Sequence, residues 1–180
     1  MNQKNMYRLI GLIVFIIAGS VYFLTVQPSV SFWDCGEFIA CSAILGIPHP
    51  PGTALFILIG RVFTLLPVPE DIGFRVNLMS VVFSALSVSL GYLIVSRIAR
   101  RYLFPSESFW GREWLFFLSG VCGAFLAGFG ATVWTNAIEA EVYGLTLFMF
   151  FLIMYVNLIW LDVRGTRLGF RLLVFAVFVA

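Results

Sequence analysis

The sequence predicts an all-α protein, a polytopic transmembrane helical bundle with juxtamembrane helices in a long first outer loop. Three observations carry that expectation. Of the 180 residues, 61% are hydrophobic and 11% are charged, and the mean hydropathy is +1.01. Soluble domains carry roughly 45–50% apolar and about 25% charged residues, and a globule this small still exposes much of its surface, so the natural solvent for this chain is lipid. The apolar residues fall in runs close to the roughly 20 needed to cross a hydrocarbon core about 30 Å thick. The basic residues gather in alternate loops, as in a chain that crosses a bilayer repeatedly.

Lys4 and Arg8 precede the first run, 9–26. It is longer than a signal-peptide core and no small-x-small cleavage site follows, so it reads as a retained span. Further spans are expected at 76–96, 114–133 and 143–161, and 172–180 reads as the truncated start of a fifth. Residues 1–180 are therefore expected to be the N-terminal part of one longer transmembrane domain, without transferase activity by themselves. Segment 52–66 is also apolar, but Arg61 sits near its middle, and a central Arg costs about 2.5–3.5 kcal/mol on insertion scales. Charge placement decides the matter. With four spans, the N-terminus and the 97–113 and 162–171 loops lie on the cytoplasmic side and hold every basic residue except Arg61 and Arg75. Counting 52–66 as a span would put Arg97, Arg100 and Arg101 outside, against the positive-inside rule. The segment is instead expected to lie at the outer interface, one of two such helices in loop 27–75.

Within the spans, Ser80, Ser84, Ser87 and Gly91, and separately Gly120, Ala124 and Gly128, form small-residue stripes that let helices approach closely. The cysteines, Cys35, Cys41 and Cys122, form no ligand cluster, and a disulfide framework or zinc site is not expected. No nucleic-acid partner is expected either.

The acidic residues show the opposite bias. Asp34, Glu37, Glu70, Asp71, Glu139 and Glu141 fall outside, and Glu107, Glu113 and Asp162 inside. Acidic residues contribute little to topology, so this bias suggests an outer face that binds a cation or handles protons. Asp34 and Glu37, in Trp33-Asp34-Cys35-Gly36-Glu37-Phe38, would lie near one face of a helix starting there. The same spacing suits a capping box, with Asp34 as N-cap and Glu37 at the third helical position. His49, the single histidine, sits in the rigid turn Pro48-His49-Pro50-Pro51-Gly52, with Pro51 suited to the first turn of the next helix. Glu139 and Glu141 flank one alanine at the mouth of a span. Two such carboxylates could hold a divalent ion together with a phosphate, or simply form a hydrated loop end. Arg75 stands at the start of the second span, and Trp33, Trp134 and Tyr143 mark the same interface. A polar site at this boundary suits a substrate with a lipid tail and a polar head.

The order of span, Trp-Asp-x-Gly-Glu-Phe, amphipathic helix, His-Pro-Pro-Gly, interfacial helix, Phe-Arg and span resembles the first outer loop of GT-C membrane glycosyltransferases. The wording looks most like the protein O-mannosyltransferase-like family. The resemblance covers nearly the whole chain, but only the N-terminal part of such an enzyme. It implies an inverting transferase that moves a sugar, mannose by resemblance, from a polyprenyl-phosphate donor to a protein Ser/Thr or a glycan acceptor at the extracytoplasmic face, which would place a bacterial example in the inner membrane. It implies Asp34, with Glu37, as the catalytic carboxylates, and His49 and Arg75 as phosphate-binding residues, although His49 stands where relatives often carry Lys. Glu139 and Glu141 occupy the place of a second acidic motif, and a divalent cation is left open. A flippase for lipid-linked sugars, or a non-catalytic scaffold, are the alternatives; spans one to four carry no charge at mid-depth, which counts against the flippase.

With the native cysteines replaced, Ser106→Cys should resist an impermeant thiol reagent applied from outside. Labelling there would restore 52–66 as a span.

Overall fold

The computed structural model describes residues 3–50, 53–68, 71–103 and 113–179. Pro51, Gly52, Glu70, Glu107 and Arg112 lie outside them, as do the side chains of Lys4 and Glu113. Helices account for all the regular structure among the described residues: α1 (Gln3–Thr25), α2 (Cys35–Ile44), α3 (Ala54–Thr64), α4 (Ile72–Ile98), α5 (Glu113–Gly128), α6 (Ala131–Ala137), α7 (Val142–Val163) and α8 (Arg167–Val179). A π-helical turn, Ala99–Leu103, extends α4. The expected all-α membrane bundle is what forms. By length and composition α1, α4 and α7 can each cross a membrane, and α5 with α6 can do so as a bent pair.

Helix α4 is the axis. Its side chains meet α1 at Gly11 and Gly19, α5 at Gly120 and Gly128, and α7 at Gly144. The pairings give the directions. Ser89 donates to the Gly11 carbonyl, while Gly19 lies against Ala85, so α1 runs antiparallel to α4. Gly120 lies against Ser96 and Tyr92, and Gly128 against Val88, so α5 is antiparallel too. Gly144 lies against Ser84 and Asp162 pairs with Arg97 and Arg101, so α7 runs parallel to α4. One end of the bundle therefore gathers the end of α1 and the starts of α4 and α7. Arg97, Arg101 and Asp162 lie at the opposite end.

Helices α2 and α3 have 10 and 11 residues, too short to cross a bilayer core, and they pack over the start of α4. Phe38, Ile39, Phe56, Ile57, Val76 and Met79 form one buried cluster between them. Arg61 does not stand alone on α3, because its guanidinium donates to the Ala43 carbonyl at the end of α2 (2.6 Å). That carbonyl is one of the four a helix end leaves without an internal partner.

Two elements differ from the sequence reading. The run 114–133 is not one straight helix, since α5 and α6 meet at 70°. Gly128 and Gly130 flank the break, Gly130 with extended backbone (φ −61°, ψ 141°). The Tyr22 hydroxyl donates to the Gly128 carbonyl (2.6 Å), satisfying a group that the break frees. The last helix begins at Arg167 rather than at 172, with the Thr166 hydroxyl accepting from the Gly169 N–H as a cap.

The α4–α7 contact yields a stability test. A Cβ on Gly144 would lie 2.7 Å from Ser84 Oγ and 3.3 Å from the Ser80 carbonyl oxygen, whereas a Cβ on Gly123 meets nothing within 4 Å. Gly144→Val should destabilise by about 1–3 kcal/mol through overpacking. Gly123→Ala should be neutral or gain up to about 1 kcal/mol of helix propensity. Denaturation in detergent measures both, and equal responses would contradict the described packing.

Candidate active site

The turn 31–34 leads into α2 and brings Asp34 to its N-terminal edge. The capping box is not formed. Asp34 has helical backbone angles (φ −78°, ψ −7°) and its side chain makes no cap hydrogen bond, whereas a capping residue needs extended backbone to aim its oxygen at the helix N–H groups. Glu37 does not reach back either. Its carboxylate accepts from the His49 backbone N–H (2.7 Å) and meets His49 Nδ1 (2.7 Å).

His49 is thus clasped twice by one carboxylate. The ring lies near that of Phe38 (centroids 6.0 Å apart), and Nε2 lies 4.0 Å from Asp34 Oδ2. Asp34, Glu37 and His49 form a compact exposed triad, with one ligand atom from each within 4.8 Å of the others. Imidazole and carboxylates are ligands suited to a divalent transition metal. Nδ1 is engaged by Glu37, so Nε2, which faces Asp34, is the ring nitrogen left to ligate a cation.

The clasp shifts both partners. The hydrogen bond that His49 donates to the Glu37 carboxylate, then that carboxylate's charge, raises the His49 pKa above the ordinary 6.5, with smaller contributions from Asp34 and Glu141. The His49 side chain, then its backbone N–H, lowers the Glu37 pKa below 4.5. His49 stabilises the folded form below about pH 6.5, and loses that contribution as pH rises through its raised pKa. Glu37 contributes above about pH 4.5, and loses it as pH falls through its lowered pKa. The clasp is strongest between those values.

The second loop meets the first at Cys35. The buried Cys35 thiol donates to Glu141 Oε1 (3.6 Å), and Ser80 donates to the Glu141 backbone carbonyl (3.4 Å). Glu141 is 8% exposed. Burial, then the nearby Glu139 and Asp34 carboxylates, raises its pKa. Burial also pushes the Cys35 thiol up to about 12, which keeps it a donor. Glu141 is thus buried at the join of the two loops, while Glu139 is only partly buried.

Of the residues singled out in the sequence, Asp34, Glu37 and His49 come together, and Glu139 and Glu141 act on the same end of α2. Arg75 stands on the first turn of α4. Its guanidinium donates to the Thr64 carbonyl (3.0 Å) at the end of α3, and it is not among the groups acting on His49. Cys35 was missed as a connecting residue, since only the fold shows which loop it meets. Asp71 was readable, because an Asp before an apolar helical run signals an N-cap; its side chain accepts from the Phe74 N–H (2.8 Å) and from Ser29.

The family described as Protein O-mannosyl-transferase TMEM260 N-terminal domain matches residues 34–180, a match that begins at Asp34 itself. The chain is similar to Protein O-mannosyl-transferase tmem260 of Dictyostelium discoideum, with 27% identity over 155 residues, 84% of this chain and 17% of that protein. It is also similar to Protein O-mannosyl-transferase TMEM260 of Mus musculus, with 31% identity over 133 residues, 73% of this chain and 17% of that protein. The chain thus spans about a sixth of the length of these relatives. No solved structure matches.

Because His49 is the single histidine of the chain, its imidazole resonances can be titrated without ambiguity. The midpoint should lie above 6.5 and fall back toward it in Glu37→Gln. A midpoint unchanged by that substitution would contradict the clasp.

Proposed function

Because the chain belongs to the Protein O-mannosyl-transferase TMEM260 N-terminal domain family, we propose that it forms the start of a GT-C-type membrane mannosyltransferase. The full protein would move mannose from a polyprenyl-phosphate donor to a protein Ser/Thr hydroxyl or a glycan, at the extracytoplasmic face. The observation that carries this reading is the exposed Asp34–Glu37–His49 triad on the side of a helical bundle where a long loop meets the membrane. The relatives' names supply the sugar and the acceptor class. The bundle supplies a boundary where a lipid-borne phosphate and a water-borne hydroxyl can meet.

In this reading the acceptor hydroxyl gives its proton to the Asp34 carboxylate as its oxygen bonds to the anomeric carbon. The bond from that carbon to the donor phosphate oxygen breaks, and polyprenyl phosphate leaves with the electron pair. A general base at the acceptor and positive charge at the leaving phosphate are what such a step needs. Asp34 suits the first role, being 59% exposed at its side chain and free of any capping duty. The second falls to the His49 imidazolium, favoured by Glu37, and to Arg75 at the rim of α3. Glu37 then orients His49 rather than acting on the substrate. The cytoplasmic placement of the N-terminus and of the basic loops remains part of this proposal.

In the full-length protein, Asp34→Asn should leave thermal stability nearly unchanged, since no hydrogen bond to the fold is lost. Transfer should fall by about 10²–10⁴, the usual contribution of a general base. Near-normal transfer by a folded Asp34→Asn protein would refute Asp34 as the base and, with it, the triad as the reacting centre.

A further inference from the structure

Among the described residues, two other than glycine have positive φ, Trp33 (64°) and Leu45 (56°). Leu45 has a local reason. It is the left-handed C-cap of α2, with its backbone N–H returning to the Cys41 carbonyl. Trp33 has no such reason. It lies in the turn ahead of α2 and is 92% exposed. Its ring makes no stacking contact with another described residue.

Crowding between Cβ and the following carbonyl makes this backbone conformation costly for most residues other than glycine, asparagine and aspartate, and for a bulky side chain it is a true outlier. Exposure leaves the large ring with little protein packing as well. Both features fall on the residue directly before Asp34. Strained positions persist where their direction matters, and they cluster at sites of function. A residue that merely anchored the loop at the bilayer interface would need no particular φ. A residue that must present a flat face at a set angle to Asp34 would need one.

An aromatic face beside carboxylates is a two-part chemistry. The ring carries a negative face that receives weakly polar C–H groups, and carboxylates accept hydrogen bonds from hydroxyls. A pyranose offers both, C–H groups on one face and hydroxyls around its edge. We infer that Trp33 is the platform on which the hexose of the lipid-linked donor stacks, beside the Asp34–Glu37–His49 triad. The inference rests on the function proposed above, with Trp33 as the residue that distinguishes a sugar-bearing lipid from a bare one.

The test is equilibrium binding of two radiolabelled lipids, mannosyl-phosphoryl polyprenol and polyprenyl phosphate without sugar, to the full-length protein in nanodiscs. Trp33→Gly relieves the positive φ and removes the ring, and Trp33→Phe keeps a ring. Trp33→Gly should weaken binding of the mannosylated lipid by about three- to tenfold, in the range of aromatic contacts, with bare-lipid binding unchanged and thermal stability equal or higher. Trp33→Phe should stay within about twofold of wild type. Equal weakening for both lipids would show a lipid or interface anchor and overturn the inference, as would unchanged binding of the mannosylated lipid by Trp33→Gly. Binding is read apart from turnover. A wild-type protein that prefers the mannosylated lipid but transfers no mannose would contradict the proposed function while leaving the platform standing.

Discussion

The arrangement of this site depends on a row of polar tethers at the start of α4. Asp71 holds Ser29 and Arg75 holds the Thr64 carbonyl. Asn77, fully buried, donates to the Gln27 and Ser29 carbonyls (2.9 Å each). Ser80 donates to the Glu141 carbonyl. Within ten residues one helix thus fixes the exit from α1, the end of α3 and the entry to α7. Carbonyls outside regular structure cannot be left unpaired where water is scarce, so these bonds do two things at once. They satisfy the irregular backbone at the bundle end, and they set the height at which the two acidic loops face one another.

Upon that base the site is assembled by competition for a few carboxylates. Glu37 could have capped α2, yet it serves His49 instead, and the Asp34 side chain makes no cap hydrogen bond. Helix α2 is held without a cap because its apolar residues, Cys35, Phe38 and Ile39, are buried against α3 and α4. Packing supplies what capping does not, since most helical stability in proteins comes from a buried face. The exposed carboxylate that results is what a reacting group requires. Glu141 shows the opposite outcome, buried and accepting from Cys35 where it joins the loops.

What could be read from the sequence follows the range of the interactions. The helical bundle was legible because composition and run length act over whole segments. The short helices of the first loop were legible because Arg61 made a full span costly. The closeness of Asp34, Glu37 and His49 could be suspected, since they lie within 16 residues of one another in a proline-rich loop. The break at Gly128–Gly130 was hidden, because the run stays apolar through it and hydropathy does not register direction. The Cys35–Glu141 contact, 106 residues apart in sequence, had no local signal at all. Arg75 was singled out for a phosphate by resemblance, and its tie to Thr64 appears only when α3 and α4 are placed side by side.

The α4–α7 pair explains why the site can afford an irregular neighbour. It is pinned at one end by Ser80 and Glu141 and at the other by Arg97 and Arg101, both on Asp162, with Gly144 letting the helices close between them. Parallel helices held at both ends resist sliding, so the second acidic loop inherits the position of α4. The bent pair α5–α6 carries no such burden. Its break sits against Tyr22, which takes up the freed Gly128 carbonyl as α6 turns across the bundle end. The chain therefore reaches α7 by a detour whose cost is met by one hydroxyl, and Glu139 and Glu141 arrive beside α2 because α4, rather than the detour, decides where α7 begins.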